Sequence, residues 1–202
     1  HNLKSMLFIL IVFAFAVIPF SGISSYIFIC AILCSMMIVT TFTFDDSSHW
    51  LRYALILPIT KKDIVLAKFV TLFIFSSLGS LFGLILGLVG GIIINDVGFN
   101  SYDILELLFI ALVALVIAMI FGGMSIPLVL KFGAEKGRLL LMVSFLLPAG
   151  LFWGIYQLLM LLGVKLTQDV LFVFLCCSPI IALIWDYIMY KISISVFDKR
   201  KN

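Results

Sequence analysis

HWLRYALILPITKKDIVLAKF, His49 to Phe69, is the stretch on which the fold turns. It sets four basic residues, Arg52, Lys61, Lys62 and Lys68, between two long apolar runs. Leu51, Tyr53, Leu55, Ile56 and Leu57 are apolar, but Pro58 ends the run far short of the roughly 20 residues needed to cross about 30 Å of hydrocarbon. The segment is an island between spans and not itself a span. Around it the 202-residue chain is 64% hydrophobic and only 11% charged, with a mean hydropathy of +1.32. A soluble domain carries about a quarter charged residues. The class is a polytopic membrane protein, with no sign of a nucleic-acid partner.

Six apolar runs are long enough to span: Leu3–Phe20, Ile23–Phe44, Ile64–Ile94, Ile104–Leu130, Leu139–Gly163 and Val170–Tyr190. None alternates as a barrel strand does, and lipid offers the backbone no hydrogen-bond partners, so each reads as a helix. The expected fold is all-α: one membrane domain over residues 1–202, six transmembrane helices, and short cytoplasmic coupling helices in the loops 45–63 and 131–138. The chain opens on His1-Asn2 and not on Met, a start that fits a tag, a processed segment or a further helix ahead of it. Leu3–Phe20 is long for a signal-peptide core and weak in small-residue cleavage features, and it reads as a retained span.

Basic residues set the orientation. Lys4, Arg52, Lys61, Lys62, Lys68, Lys131, Lys136, Arg138, Lys191, Lys199, Arg200 and Lys201 fall on one side, and Lys165 alone on the other. The second side holds Asp96, Asp103, Glu106 and Asp169. The positive-inside rule places both termini in the cytoplasm, in agreement with an even number of spans. The outer connections, including the tight turn Ser21-Gly22, are short, which excludes a large exterior domain.

Within the first inner loop, Asp45-Asp46-Ser47-Ser48 offers N-cap oxygens for a short helix from Trp50 to Leu57. Leu51 with Leu55, and Tyr53 with Leu57, are one turn apart, while His49 and Arg52 fall on a more polar side. Thr60-Lys61-Lys62-Asp63 then forms a capping box that opens the third span. Two readings fit this amphipathic segment: a helix lying on lipid with Lys61 and Lys62 at anionic headgroups, or a docking element for a cytoplasmic partner.

The residues RYALILPITKKDIVLAKF resemble the loop between spans two and three of small bacterial type-two ABC exporter permeases. The match runs through Arg52, Tyr53, Leu57, Pro58, Lys62, Asp63, Ile64, Val65 and Lys68. KFGAEKGR, Lys131–Arg138, resembles the same family's loop between spans four and five. Among such permeases the chain is similar to those exporting amphipathic, phenol-soluble-modulin-type peptides. The resemblance implies a membrane subunit that is not itself an enzyme and sits in a bacterial cell membrane. It also implies a second permease, identical or related, and an ABC ATP-binding subunit that holds the ATP and Mg. Trp50, Leu51, Tyr53 and Leu55 would anchor a coupling helix in that subunit, with Arg52, Lys61 and Lys62 as polar contacts and Pro58 as the corner. Lys131, Phe132, Glu135, Lys136 and Arg138 would give a smaller second contact, with Gly133 and Gly137 easing the turn. The family's elbow helix and re-entrant outer helices have no clear counterpart here.

The chain has no G-x-x-x-x-G-K-[ST] loop, no HExxH and no paired carboxylates within a span, so neither catalytic nor cofactor residues are assigned. Cys30, Cys34, Cys176 and Cys177 lie in apolar runs without metal-ligand spacing and read as packing residues. Gly79, Gly83, Gly87 and Gly91 put a small-residue ridge on span three, either a dimer seam or a contact within the chain. Asp186 is the one acidic residue well inside a run. Beside Trp185, Tyr187, Tyr190 and Lys191 it reads as part of an interfacial belt, snorkelling or paired, with a proton-relay or gating role as the alternatives. Trp153, Tyr156 and Gln157 fit either a cargo path or packing. The expected function is ATP-driven export of amphipathic or hydrophobic peptide, or lipid-like cargo. An ion-coupled secondary transporter and a non-transporting immunity or sensor protein are the rivals.

Overall fold

The computed structural model describes residues 2–48, 60–94, 104–133 and 168–199, together with 146, 150, 153–154, 157–158 and 161. Four long helices account for nearly all of them: α1 (Asn2–Ser47), α2 (Lys61–Ile94), α3 (Ile104–Phe132) and α4 (Gln168–Lys199). Among the described residues there is no strand. Four segments are long and apolar enough to cross a membrane: Gly22–Ser47, Lys61–Gly90, Glu106–Phe132 and Cys177–Asp198.

Among the described residues these segments bear out four of the six expected spans; the count of six is not borne out. The runs Leu3–Phe20 and Ile23–Phe44 form one helical stretch, interrupted at Gly22, whose φ of 78° is left-handed and non-helical. Glycine lacks the Cβ that penalises this conformation, so the chain breaks where Ser21-Gly22 was expected to turn. Among the described residues, the part after the break meets the criterion for crossing. Of the fifth expected span, Leu139–Gly163, the described residues 146, 150, 153–154, 157–158 and 161 are all helical, and the rest lie outside the described residues. So does the whole of the expected Trp50–Leu57 coupling helix.

The helix ends follow from local chemistry. α2 opens on a complete capping box: the Asp63 amide donates to Thr60 Oγ1 at 3.3 Å, and the Thr60 amide donates to Asp63 Oδ2 at 3.0 Å. Two amides with no partner inside the helix are thereby satisfied. α3 ends at Gly133, with φ of 86°, whose amide donates to Val129 O at 2.8 Å, an αL cap. At the end of α1, the Ser47 and Ser48 hydroxyls donate back to Phe44 O at 2.9 and 2.8 Å. Asp45 and Asp46 therefore lie in the last turns of α1, and the helix they were expected to cap falls outside the described residues.

The chain divides into two compact units. The first comprises His1–Ser35 and Phe73–Ala118. Its core joins Ile18, Ile23, Tyr26, Ile27 and Ala31 of α1 to Leu107, Ala111, Ala114 and Ala118 of α3. The helix α2 enters this unit by its glycines. A Cβ on Gly79 would lie 2.6 Å from Cys34 Cβ and 3.0 Å from Ala31 Cα. One on Gly83 would lie 3.0 Å from Cys30 Cβ and 3.1 Å from Ile27 Cα, and one on Gly87 would lie 3.0 Å from Ile23 Cγ2. The ridge is thus a contact within the chain. It continues through Gly90 against Ile18, one residue before the Gly91 expected from the four-residue repeat. The side-chain environment of Gly91 is not among those described. Cys30 and Cys34 are buried, reduced and packed against this ridge.

The second unit comprises Met36–Leu72 and Met119–Asn202. Its core gathers Ile38, Val39 and Phe42 of α1, Val65 and Leu72 of α2, Ile126, Val129 and Leu130 of α3, and Phe197 of α4. The buried stripe of α4 runs Ala182, Asp186, Met189, Ser193 and Phe197, at helical three- and four-residue spacing. Gly122 and Gly123 leave room on α3 for Leu72 and for the Asp186 carboxylate. Conversely Leu66, Val70, Phe73, Ile74, Leu81, Ile85 and Val89 of α2 are exposed, the apolar surface expected of a helix that meets lipid.

Enlarging Gly83 tests the seam directly, because the atoms it would meet belong to backbone and Cβ positions and have no rotamer into which to retreat. Gly83→Ile is expected to destabilise the protein by about 1–3 kcal/mol. The readout is a lower thermal midpoint in detergent, while Gly150→Ala, with nothing within 4 Å of the added Cβ among the described residues, does not lower the midpoint.

Candidate functional site

The segment between α1 and α2 was expected to carry the chemistry. Trp50, Leu51, Arg52, Tyr53, Leu55 and Pro58 lie outside the described residues, but both roots of the segment are described, and they meet. Lys68, two turns into α2, reaches the end of α1. Its ammonium pairs with Asp45 Oδ2 at 2.5 Å, donates to Thr41 Oγ1 at 3.0 Å, and lies 4.5 Å from the centre of the Phe42 ring. The pair is partly sheltered, with 13% and 27% of the two side chains exposed.

Electrostatics explains the arrangement. Asp45 sits where the carbonyl end of α1 already carries partial negative charge, an unfavourable place for an anion. Lys68 offsets both charges at once. Its own stem is covered by Phe42, and a hydroxyl and a carboxylate share its three donors. A small cleft surrounds the pair, lined by Phe42, Asp45 and Asp46 of α1, Ile64, Val65 and Lys68 of α2, and Val129 and Leu130 of α3.

Lys61, expected to contact a partner subunit, has contacts inside the chain. It lies 3.7 Å from Asp198 Oδ1 and 5.7 Å from the Phe197 ring of α4. Both members of that pair are exposed, so it contributes little stability. Lys62 is exposed. Lys131 and Phe132 are exposed at the end of α3, with the ammonium 5.1 Å from the ring centre. Glu135, Lys136 and Arg138 lie outside the described residues, as does Tyr156. Trp153 and Gln157 are helical and exposed, Trp153 by 67%.

Asp186 departs from expectation. It does not snorkel: its side chain is buried against Gly123, and Oδ1 has no hydrogen-bond partner. Its neighbours divide around it. Tyr187 and Lys191 face outward as a belt would, with the ammonium 5.5 Å from the ring. Tyr190 packs edge-on to Phe69, centroids 5.9 Å apart, and Trp185 Nε1 donates to Ile120 O at 3.2 Å. Proline at 127 has no amide to give to the Gly123 carbonyl, so this level of α3 is short of a donor. Among the described residues no group of three or more His, Cys, Asp and Glu side chains is placed to hold a metal.

Sequence reasoning missed the Asp45–Lys68 pair. The signal available was the anomaly of two aspartates at a helix end that repels them, visible once the second span is carried to Ser47. Gly90 was missed because the ridge steps by three there and not by four.

A family model described as ABC-2 family transporter protein matches residues 1–198. No curated protein and no solved structure matches the chain.

The capping box fixes where α2 begins and so where the preceding segment must end. Thr60→Ala removes the hydroxyl that accepts from the Asp63 amide, a loss of about 1 kcal/mol. Amide exchange in the first turn of α2 is expected to quicken by about fivefold, and Thr60→Ser restores it.

Proposed function

The chain belongs to the ABC-2 family of transporter proteins, and from that premise we propose that it is the membrane half of an ATP-driven exporter. Membership makes it a multi-pass permease, a transport component working with an ATP-binding subunit. The proposal adds direction, cargo and mechanism. The permease pairs with a second copy or a relative in a bacterial cell membrane, both termini in the cytoplasm. ATP and Mg are held by the separate subunit.

The segment 49–59 is the coupling element of this reading. Trp50, Leu51, Tyr53 and Leu55 dock by apolar contact, Arg52 and Lys62 by charge, and the 131–138 loop adds a second contact through Lys131, Phe132, Glu135, Lys136 and Arg138. What supports it is the construction of the two roots. One is closed by hydroxyls bonded back to Phe44, the other by a capping box, and Lys68 joins them. A segment that takes force from a motor needs such stiff ends, whereas a helix floating on lipid does not. Lys61, whose exposed pair with Asp198 is weak, remains available for docking alongside Lys62.

The cargo is an amphipathic or hydrophobic peptide, or a lipid-like molecule. In support, Asp186 is the only buried charged side chain among the described residues. Closure of the ATPase pair moves both loops and rocks the spans so that cargo leaves outward, past a wall to which Trp153, Tyr156 and Gln157 contribute.

Tyr53→Ala combined with Leu55→Asp removes an anchor and puts a charge into the apolar contact. In proteoliposomes holding the permease and its ATPase, ATP-dependent export of a labelled amphipathic helical peptide is expected to fall by about a hundredfold, with the permease still inserted. Export at the unmutated rate refutes the coupling assignment. Export driven by a proton gradient without the ATPase would favour an ion-coupled carrier built around Asp186.

A further inference from the structure

The Asp45–Lys68 pair sits at an unusual place in the chain. Its two members flank the segment 49–59 from opposite sides, one in the last turn of α1 and the other two turns into α2. The cleft around the pair also includes Val129 and Leu130, immediately before the 131–138 loop. The roots of both cytoplasmic loops therefore meet at one ion pair.

We infer that Asp45 and Lys68 are positioning residues that clamp the two roots of the 49–59 segment, so that a pull on it moves α1 and α2 as one body. The inference rests on the proposed role of that segment in coupling. Three contacts distinguish the clamp from an ordinary surface pair. Lys68 is held by the Asp45 carboxylate, the Thr41 hydroxyl and the Phe42 ring face, all on the last two turns of α1. The competing pair, Lys61 with Asp198, is longer, has 41% and 60% of its side chains exposed, and ties α2 to α4, not to α1. Screening leaves an exposed pair little stiffness. A sheltered one with a hydroxyl and a ring fixing the same ammonium resists being pulled apart.

Stiffness matters because the 49–59 segment is joined to the spans only at its ends. With the clamp intact, displacement of the segment reaches both helices together. With it broken, Pro58 and the last turn of α1 yield locally, and the ATPase turns over without moving the spans. The expected defect is uncoupling and not loss of assembly, because neither residue is among those assigned to docking.

The test uses full-length permease with its ATP-binding subunit in proteoliposomes, with a fluorescently labelled amphipathic helical peptide as the export probe. Asp45→Asn and Lys68→Met are each expected to keep the ATPase subunit bound and hydrolysing while peptide exported per ATP falls by about tenfold. The charge-reversed double variant, D45K with K68D, recovers most of the loss. Lys191→Gln, on an exposed turn of α4, behaves as the unmutated protein. A merely structural role would lower hydrolysis and export together and leave their ratio unchanged. Unchanged export per ATP in both single variants overturns the clamp. If the single variants fail to insert, the reversed pair decides: insertion restored without export per ATP restored also overturns it. No ATP-dependent export by the unmutated complex refutes the permease reading itself, a result distinguishable from failure of the clamp alone.

Discussion

Hydrocarbon does not drive apolar side chains together, because lipid tails are as apolar as leucine. Helices in a membrane must be held by close packing and by polar contacts that have no alternative partner. The seam at Gly79, Gly83 and Gly87 is this chain's answer to that constraint. Bare Cα positions of α2 rest on Ala31, Ile27 and Cys30 of α1 near backbone contact, so dispersion acts over the whole length of the ridge. Tyr26, Ile27 and the alanine stripe of α3, Ala111, Ala114 and Ala118, pack around the same unit. Once the seam is set, the rest of α2 is free to present leucine, isoleucine and phenylalanine outward.

The second unit relies on polar chemistry where helices end. Lys68 satisfies an aspartate that a helix end would otherwise repel, Thr60 and Asp63 satisfy each other, and Gly133 stops α3. Trp185 gives its indole proton to the α3 backbone at Ile120, close in sequence to the donor gap left by Pro127. Asp186 stands apart, sheltered and without a partner on Oδ1. Among the described residues it is the one buried Asp, Glu, Lys or Arg side chain, and the packing alone does not account for it.

Much of this was legible in the sequence because it is local. The capping box is written in four consecutive residues. The glycine ridge is a spacing, and the break at Gly22 needed only a glycine between two apolar runs. What escaped was non-local or depended on where an element stops. Asp45 and Lys68 are distant in sequence, and nothing in either neighbourhood names the other. Asp45 and Asp46 looked like caps for the next helix, and only the back-bonded serines showed that α1 had not yet ended. Burial of Asp186 required knowing that Gly123 lies opposite, which no pattern on α4 encodes. The proximity of Lys61 to Asp198 was hidden for the same reason, since Asp198 comes from the far end of the chain.

Lys61 and Lys68 are two turns apart and so project from nearly the same side of α2, one toward α4 and the other toward α1. Rotation of α2 about its own axis would carry both ammonium groups away from their carboxylates together. The two lysines thus mark one azimuth for the start of α2, held by the sheltered Lys68 and only lightly by the exposed Lys61.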